Sequence, residues 1–141
     1  MIEKKWFSLL KEVLSKPRKN RMRTKVSAMT HNLTAEQLES LFVEQFETCP
    51  YTSVELRFKS ASRNSAGDRK KNRNLSVDRI DSDKAYTKEN CELVTKIMQK
   101  MQGELTPKEF YAVCRRVADI ADMREIERMP ESQVDSLIDQ Y

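Results

Sequence analysis

Glycine and histidine are scarce in this 141-residue chain, which contains two glycines and one histidine. With 34% charged and 38% hydrophobic residues, the composition indicates a small core wrapped in long, charged helices with few tight turns. A chain of this length has room for one domain and a tail. The lone histidine, His31, lies in a predicted turn, where a histidine is more often solvated or hydrogen-bonded than catalytic.

Cysteines and long apolar runs are also few. Cys49, Cys91 and Cys114 are odd in number and widely spaced, so they form no disulfide framework, and we expect reduced thiols. No apolar run approaches the roughly 20 residues that a membrane span needs. The amphipathic N-terminus carries Glu3 and Glu12, unlike a signal peptide. The sequence therefore predicts a soluble, cytoplasmic protein with no membrane partner, in whichever cell hosts its gene.

Basic and acidic residues are unevenly distributed. The net charge is +4, but residues 119–141 hold seven acids and two arginines, which leaves 24 basic and 15 acidic groups in residues 1–118, a net +9. Lys and Arg release condensed counterions when they contact phosphates, so a body of this charge suits a polyanionic partner. A solvated surface is the alternative.

Two helix starts carry capping boxes, formed by Thr34 with Gln37 and by Thr106 with Glu109. The helix after Thr34 is expected to run to about Phe46, with that ring pointing inward. The helix after Thr106 is expected to bury an apolar stripe. Its members are Phe110, Val113, Cys114, Val117, Ile120 and Ala121.

Apolar spacing predicts three further elements. An N-terminal helix places Trp6, Leu9 and Val13 on one face, and alternation over residues 54–58 indicates a strand. Beyond Pro130 an acidic amphipathic segment either folds back on the body or pairs with a second copy, which would give a homodimer. Both alternatives stay open.

The central stretch begins with a predicted strand. Leu75, Val77 and Ile80 alternate with polar residues, which is the period of a short half-buried strand whose end carries Asp78. A ten-residue polar segment follows and closes on Asn90, so we predict a loop held by hydrogen bonds from side chains to the backbone.

A second apolar run begins at Cys91 and shifts to helical spacing through Ile97, Met98 and Met101. Gly103 is placed to end that helix with a left-handed cap. The predicted order is therefore strand, loop, strand, helix.

This order resembles the ββα-metal core of HNH endonucleases, with an acidic residue ending the first strand and an Asn closing the loop. The segment SVDRIDSDKAYTKEN is similar to the "DRID…GYT..N" version in small nuclease-like proteins of phages and mobile elements. The likeness extends more weakly to HNLTAEQLESLF, CPYTSVEL and LTPKEFYAVCRRV, so it covers roughly residues 20–118 and depends on the combination of motifs.

The resemblance implies an α+β, mainly helical single domain built around a ββα-metal hairpin-and-helix core. Residues 1–33 would form an N-terminal helix and a basic DNA-contacting segment. Residues 34–118 would form the HNH-like core with its flanking helices, and residues 119–141 an acidic helical tail.

The resemblance also implies a site for Mg²⁺ or Mn²⁺, whose preferred ligands are hard oxygens. By position Asp78 is the strand ligand and Gln99 the helix ligand. Arg79 stands where the histidine base is usual; because arginine stays protonated, it would grip the phosphate instead. Asn90 would tie the loop together. The histidine that some relatives carry at the place of Thr95 is missing.

Zinc-binding relatives pin this core with cysteine pairs. The matching places here contain Cys49, Thr52, Thr95 and Met98. One thiol out of four argues against a structural zinc. The residues expected to replace it by packing are Tyr51, Leu56, Met98 and Met101.

DNA contacts are expected from two basic tracts and from the helix after the second strand, although such tracts are often only solvated linkers. The expected contact residues are Arg18, Lys19, Arg21, Arg23, Lys25, Arg69, Lys70, Lys71, Arg73, Lys96 and Lys100.

Three functions follow as hypotheses. The first is an HNH-type, homing-type DNA endonuclease that cuts or nicks duplex DNA by metal-dependent phosphodiester hydrolysis. The second is a catalytically inactive, HNH-derived DNA-binding regulator, which the missing histidines favour. The third is a helical interaction protein whose basic surface binds RNA or an acidic protein.

Overall fold

The computed structural model describes residues 3–15, 32–58 and 75–140. Within these residues the protein is α+β and mostly helical, with five α-helices and one two-stranded antiparallel sheet. In chain order the elements are α1 (Lys4–Ser15), α2 (Ala35–Glu44), β1 (Leu75–Arg79), β2 (Cys91–Thr95), α3 (Lys96–Gln102), α4 (Pro107–Met123) and α5 (Glu131–Gln140).

The strands β1 and β2 form an antiparallel hairpin, and α3 begins at the residue after β2. The predicted order of strand, loop, strand and helix is therefore confirmed. The expectation of a half-buried strand was wrong, because the polar residues Ser76 and Asp78 are buried as well as Leu75 and Val77. Both α2 and α3 pack against the hairpin, so little of β1 is left to solvent.

The core lies between α1, α2 and the hairpin. Trp6 is at its centre and meets the rings of Phe42 and Phe58 edge-on, with centroids 5.3 and 4.8 Å away. Leu9 and Val13 are buried on the same face of α1, as predicted. Aromatic pairs in this geometry stabilise a core beyond their buried area.

Both predicted capping boxes are present. The Thr34 hydroxyl accepts from the Gln37 N–H at 3.2 Å, and the Gln37 side chain accepts from the Thr34 N–H at 3.0 Å. Thr106 and Glu109 make the same pair of bonds at 3.3 and 2.8 Å. These bonds satisfy N–H groups that the first turn of a helix leaves free.

The predicted end of α2 was wrong. The helix ends at Glu44, and the chain then turns through positive φ angles of 54° at Phe46 and 60° at Glu47. This turn leaves Phe46 84% exposed instead of inward. Helical periodicity alone does not reveal where a left-handed turn stops a helix.

The strand predicted over residues 54–58 is not formed. Thr48 and Glu55 make a single antiparallel bridge, and the Arg57 carbonyl accepts from the Leu75 N–H at 3.1 Å. Because the neighbouring segment at residues 45–47 is itself a turn, no second described strand runs alongside.

Beyond its first turn, α4 does not bury the stripe that we expected. Phe110 is buried and Cys114 packs partly buried against the core, but Val113, Val117 and Ile120 lie at the surface. Met101, expected to help fill the core, is 55% exposed, whereas Leu56 and Met98 are buried. The exposed large hydrophobic residues of α4 and α5 are Tyr111, Val113, Val117, Ile120, Met123 and Leu137.

The helices among the described residues are all too short or too polar to cross a membrane. Gly103 ends α3 with a φ of +57°, a conformation that glycine adopts readily and other residues avoid.

The difference between core and surface valines gives a matched test of the packing. Val77 is fully buried and Val117 is 63% exposed. We expect Val77→Ala to lower the free energy of unfolding by about 2 kcal/mol, through lost burial and a residual cavity. Val117→Ala should change it by less than about 0.5 kcal/mol, because alanine has the higher helix propensity and little apolar contact is lost.

Urea unfolding followed by circular dichroism measures both values. Equal losses in the two variants would contradict the packing described for β1 and α4.

Candidate functional site

The pairing register of the hairpin places Asp78 directly opposite Glu92. Residues opposite each other in an antiparallel pair point to the same face, whereas neighbours along a strand point to opposite faces. Asp78, Glu92 and Ser76 therefore share one face. Asp78 is only 9% exposed, and its Oδ2 atom is covered and has no hydrogen-bond partner among the described residues.

Gln99 reaches this face from α3. Its Nε2 donates to the Val77 carbonyl at 3.0 Å, and its Oε1 accepts from the Ser76 hydroxyl at 2.6 Å. The Gln99 side chain also lies within hydrogen-bonding reach of the Asp78 carboxylate, whose pKa it lowers. The structure thus brings together Asp78 and Gln99, the two residues to which the resemblance assigns the ligand positions.

Glu92 and Tyr51 belong to the same group; sequence analysis missed Glu92 and expected only a packing role for Tyr51. The Tyr51 hydroxyl donates to Glu92 Oε1 at 2.6 Å. The Tyr51 ring meets the buried Phe110 ring edge-on at 5.6 Å, so the first turn of α4 supports it. Burial and the Glu92 carboxylate raise the pKa of Tyr51, so its hydroxyl stays a donor. The group of Asp78, Glu92, Gln99 and Tyr51 is called the hairpin polar cluster below.

A signal for Glu92 was present in the sequence. If Asn90 lies opposite Ile80 where the loop closes, the residues two positions farther from the loop on each strand, Asp78 and Glu92, form a pair. The Ile80 N–H does donate to the Asn90 carbonyl, at 2.9 Å. Loop closure and strand period together were sufficient to find this pair.

The pKa of Asp78 is raised to about 6. Burial is the main cause and the nearby charge of Glu92 adds to it, while hydrogen bonds from the Arg79 backbone N–H and the Gln99 side chain act in the opposite direction. A carboxylate that is both desolvated and beside a like charge binds a proton more readily than a solvated one.

The side chain of Arg79 lies outside the hairpin polar cluster. As the next residue along β1 it points to the other face, where its guanidinium stacks on the Tyr86 ring at 4.8 Å and donates to the Lys84 carbonyl at 3.0 Å. Both contacts are to the loop between the strands. The structure therefore does not bring the Arg79 guanidinium to the Asp78–Gln99 pair.

Asn90 makes the loop-closing hydrogen bonds that were expected of it. Its Nδ2 donates to the carbonyls of Asp81 and Ala85, both at 3.0 Å, and its Oδ1 accepts from the Asp81 N–H at 2.9 Å. These bonds hold the two strands in register at the loop. Asn90 thus affects the hairpin polar cluster indirectly, by fixing the backbone of the loop that joins the two strands.

Two of the expected DNA-contacting residues are described, and both lie on α3. Lys96 is half-buried and Lys100 is exposed. They are four residues apart, so they share one side of the helix, and Gln99 is a neighbour of Lys96 on the helix surface. The other expected contacts lie outside the described residues, as does His31. They are Arg18, Lys19, Arg21, Arg23, Lys25, Arg69, Lys70, Lys71 and Arg73.

The oxygen donors of the cluster are two carboxylates, one amide and one hydroxyl. In the described parts of the chain, no group of three or more His, Cys, Asp and Glu residues is arranged to hold a metal ion. Cys49 and Cys91 are free and buried, and burial raises the pKa of the Cys91 thiol to about 12. A hard cation bound here would therefore rely on Asp78, Glu92 and Gln99.

Comparison of the sequence with protein-family models finds no match, and comparisons with curated proteins and with solved structures find none either.

The raised pKa of Asp78 predicts how stability depends on pH. Its carboxyl ionises near pH 6 in the folded state and near 3.8 when unfolded, so the folded state holds the proton more tightly between these values. Stability should therefore fall as pH rises from about 4 to about 6, and remain lower above that. Asp78→Asn removes this loss.

We expect metal-free Asp78→Asn to melt at a higher temperature than the wild type at pH 8, with the difference shrinking towards pH 4. Thermal melts in EDTA across this range measure it. A difference that does not change with pH would show that Asp78 has an ordinary pKa.

Proposed function

We propose that the protein binds duplex DNA and cuts or nicks it by metal-dependent phosphodiester hydrolysis, as an HNH-like, homing-type endonuclease of a phage or mobile element. One observation carries the proposal: a hairpin followed directly by a helix brings the Asp78 carboxylate beside the Gln99 amide. These are the two ligand positions that the resemblance to HNH endonucleases assigns.

The residues present fit a hard divalent cation. Among the described residues, Asp78 Oδ2 is buried and has no hydrogen-bond partner, and the Gln99 oxygen uses one lone pair for Ser76, which leaves a second. Carboxylate and amide oxygens are the ligands that Mg²⁺ and Mn²⁺ prefer. When bound, such a cation would stabilise the charge that develops on the scissile phosphate and the leaving oxygen.

The protein's own residues have separate tasks in this proposal. Asp78 supplies negative charge at the end of β1, and above pH 6 it is mostly ionised and able to act as a ligand. Gln99 holds the edge of β1 through its amide nitrogen, and its amide oxygen, which accepts from Ser76, would supply the second ligand. Lys96 and Lys100 lie next to Gln99 on α3, where they would bind backbone phosphates.

A second function has its own support, namely a catalytically inactive DNA-binding regulator. No imidazole lies beside Asp78 among the described residues, and the Arg79 guanidinium is engaged with Tyr86 on the opposite face. A protein of this second kind would keep the basic surface and lose hydrolysis.

A nicking assay tests the proposal directly. Purified full-length protein is incubated with supercoiled plasmid and Mg²⁺ or Mn²⁺, and relaxed and linear products are quantified. We expect metal-dependent products with the wild type and a rate about 100-fold lower with Asp78→Asn, because the variant loses the charge that holds the metal. Asp135→Asn, the same change on the exposed surface of α5, is the matched control.

The alternatives give different results in the same experiment. Tight, salt-sensitive binding without products would identify the inactive regulator. No appreciable duplex affinity at about 50 mM salt would exclude both DNA-binding functions, because several phosphate contacts give strong binding there.

The salt dependence of DNA binding tests the placement of α3. Each phosphate contact contributes roughly 0.9 to the slope of log K against log salt concentration. If Lys96 and Lys100 contact phosphates, replacing both with alanine should reduce the slope by up to about 2, equally for all sequences. Lys11→Ala, on the exposed side of α1, is the control that removes one positive charge elsewhere.

Fluorescence anisotropy with a labelled duplex at several salt concentrations measures these slopes. A slope that stays unchanged in the double variant would remove α3 from the interface.

A further inference from the structure

Two carboxylates face each other across the hairpin. Asp78 and Glu92 are direct partners in the antiparallel register, and no lysine or arginine of the described residues forms an ion pair with either. Like charges directly opposite each other destabilise a strand pair, and burying an unpaired charge costs more. The arrangement therefore works against the fold unless something positive lies between the two groups.

The position of Glu92 is fixed from outside the hairpin. The Tyr51 hydroxyl donates to Oε1 at 2.6 Å, and the rings of Phe110 and Tyr111 pack on Tyr51 with centroids 5.6 and 5.5 Å away. A carboxylate has two oxygens with about four acceptor positions, so this bond leaves Oε2 available. Tyr51 thus orients Glu92 without using up its capacity as a ligand.

Asp78 contributes a buried oxygen that could bind a cation. The residue is only 9% exposed, and Oδ2 is covered and has no hydrogen-bond partner among the described residues. Native proteins contain few buried oxygens of this kind, and a bound water molecule or ion is among the explanations for those that occur. Asp78 and Gln99 alone would offer a divalent cation one negative charge, whereas Glu92 adds a second.

We propose that Glu92 is a third oxygen ligand, which joins Asp78 and Gln99 to hold a hard divalent cation and is positioned by Tyr51. The inference deepens the proposed function and depends on it for the role of the site. Metal binding by the free protein can be measured without DNA, so the two can fail separately.

Glu92→Gln separates a ligand from a structural residue. The glutamine keeps an oxygen that can accept from Tyr51 but removes the charge. We expect its affinity for Mn²⁺, measured by isothermal titration calorimetry on the full metal-free chain, to fall at least about tenfold. In EDTA the variant should melt at a higher temperature than the wild type, because the repulsion with Asp78 is gone.

Glu89→Gln is the matched control, since Glu89 is an exposed carboxylate in the turn just before β2. It should leave both Mn²⁺ affinity and melting temperature unchanged. Glu92→Asp retains the charge on a shorter side chain, and we expect it to recover part of the lost affinity. Far-ultraviolet circular dichroism establishes that each variant is folded before titration.

Each outcome decides one point. Loss of Mn²⁺ affinity in both Glu92→Gln and Asp78→Asn supports the third ligand, even if the wild type cuts no DNA and the nuclease proposal fails. Unchanged affinity in Glu92→Gln, with loss in Asp78→Asn, overturns the role of Glu92 and leaves the site of Asp78 and Gln99 in place. Equal affinity in all three proteins overturns both the inference and the metal site.

Discussion

A two-stranded sheet has two open edges, and side-chain amides close parts of both edges of this hairpin. Gln45, at the end of α2, donates to the Leu93 carbonyl at 2.7 Å and accepts from the Leu93 N–H at 2.8 Å, as a neighbouring strand would. On the other edge Gln99 donates to the Val77 carbonyl at 3.0 Å. Without these bonds, polar groups of the buried backbone would lack partners, at considerable cost. The same bond that completes the edge of β1 therefore also brings the Gln99 amide to Asp78.

Hydrogen bonds at the edges and in the loop hold the hairpin in one register. This register places the carboxylates of Asp78 and Glu92 opposite each other, where they repel. A shift by one residue would turn every side chain to the other face and expose Val77 and Leu93, which are fully buried. The hydrophobic residues thus hold two carboxylates opposite each other although the electrostatics oppose it. The buried polar atoms left without partners among the described residues belong to this hairpin and its following helix, on Asp78, Thr95 and Gln102. Local conflicts of this kind are concentrated at functional sites.

The features that could be predicted from the sequence are those with short-range causes. The capping box of Thr34 and Gln37 joins residues three positions apart, and Asn90 closes a loop of its own neighbours, so each pattern contains its own partner. The exposure of Phe46 could not be predicted in this way, because it follows from a left-handed turn that periodicity does not encode. Tyr51 and Glu92 are 41 residues apart, and only the packed fold brings them together.

Asp78 and Arg79 lie on opposite faces of the hairpin, and this separation bears on two roles that could be proposed for Asp78, a general base and a metal ligand. A carboxyl group with a pKa of about 6 is in the range of a general base, but a base must reach a water molecule or a substrate atom. Asp78 Oδ2 is covered, and Arg79, which could guide a phosphate, is stacked on Tyr86 on the other side. A ligand needs only to present one oxygen to an ion whose remaining positions face outward. The burial that disfavours Asp78 as a base is therefore compatible with the proposed role as a metal ligand, which the neighbouring carboxylate would strengthen.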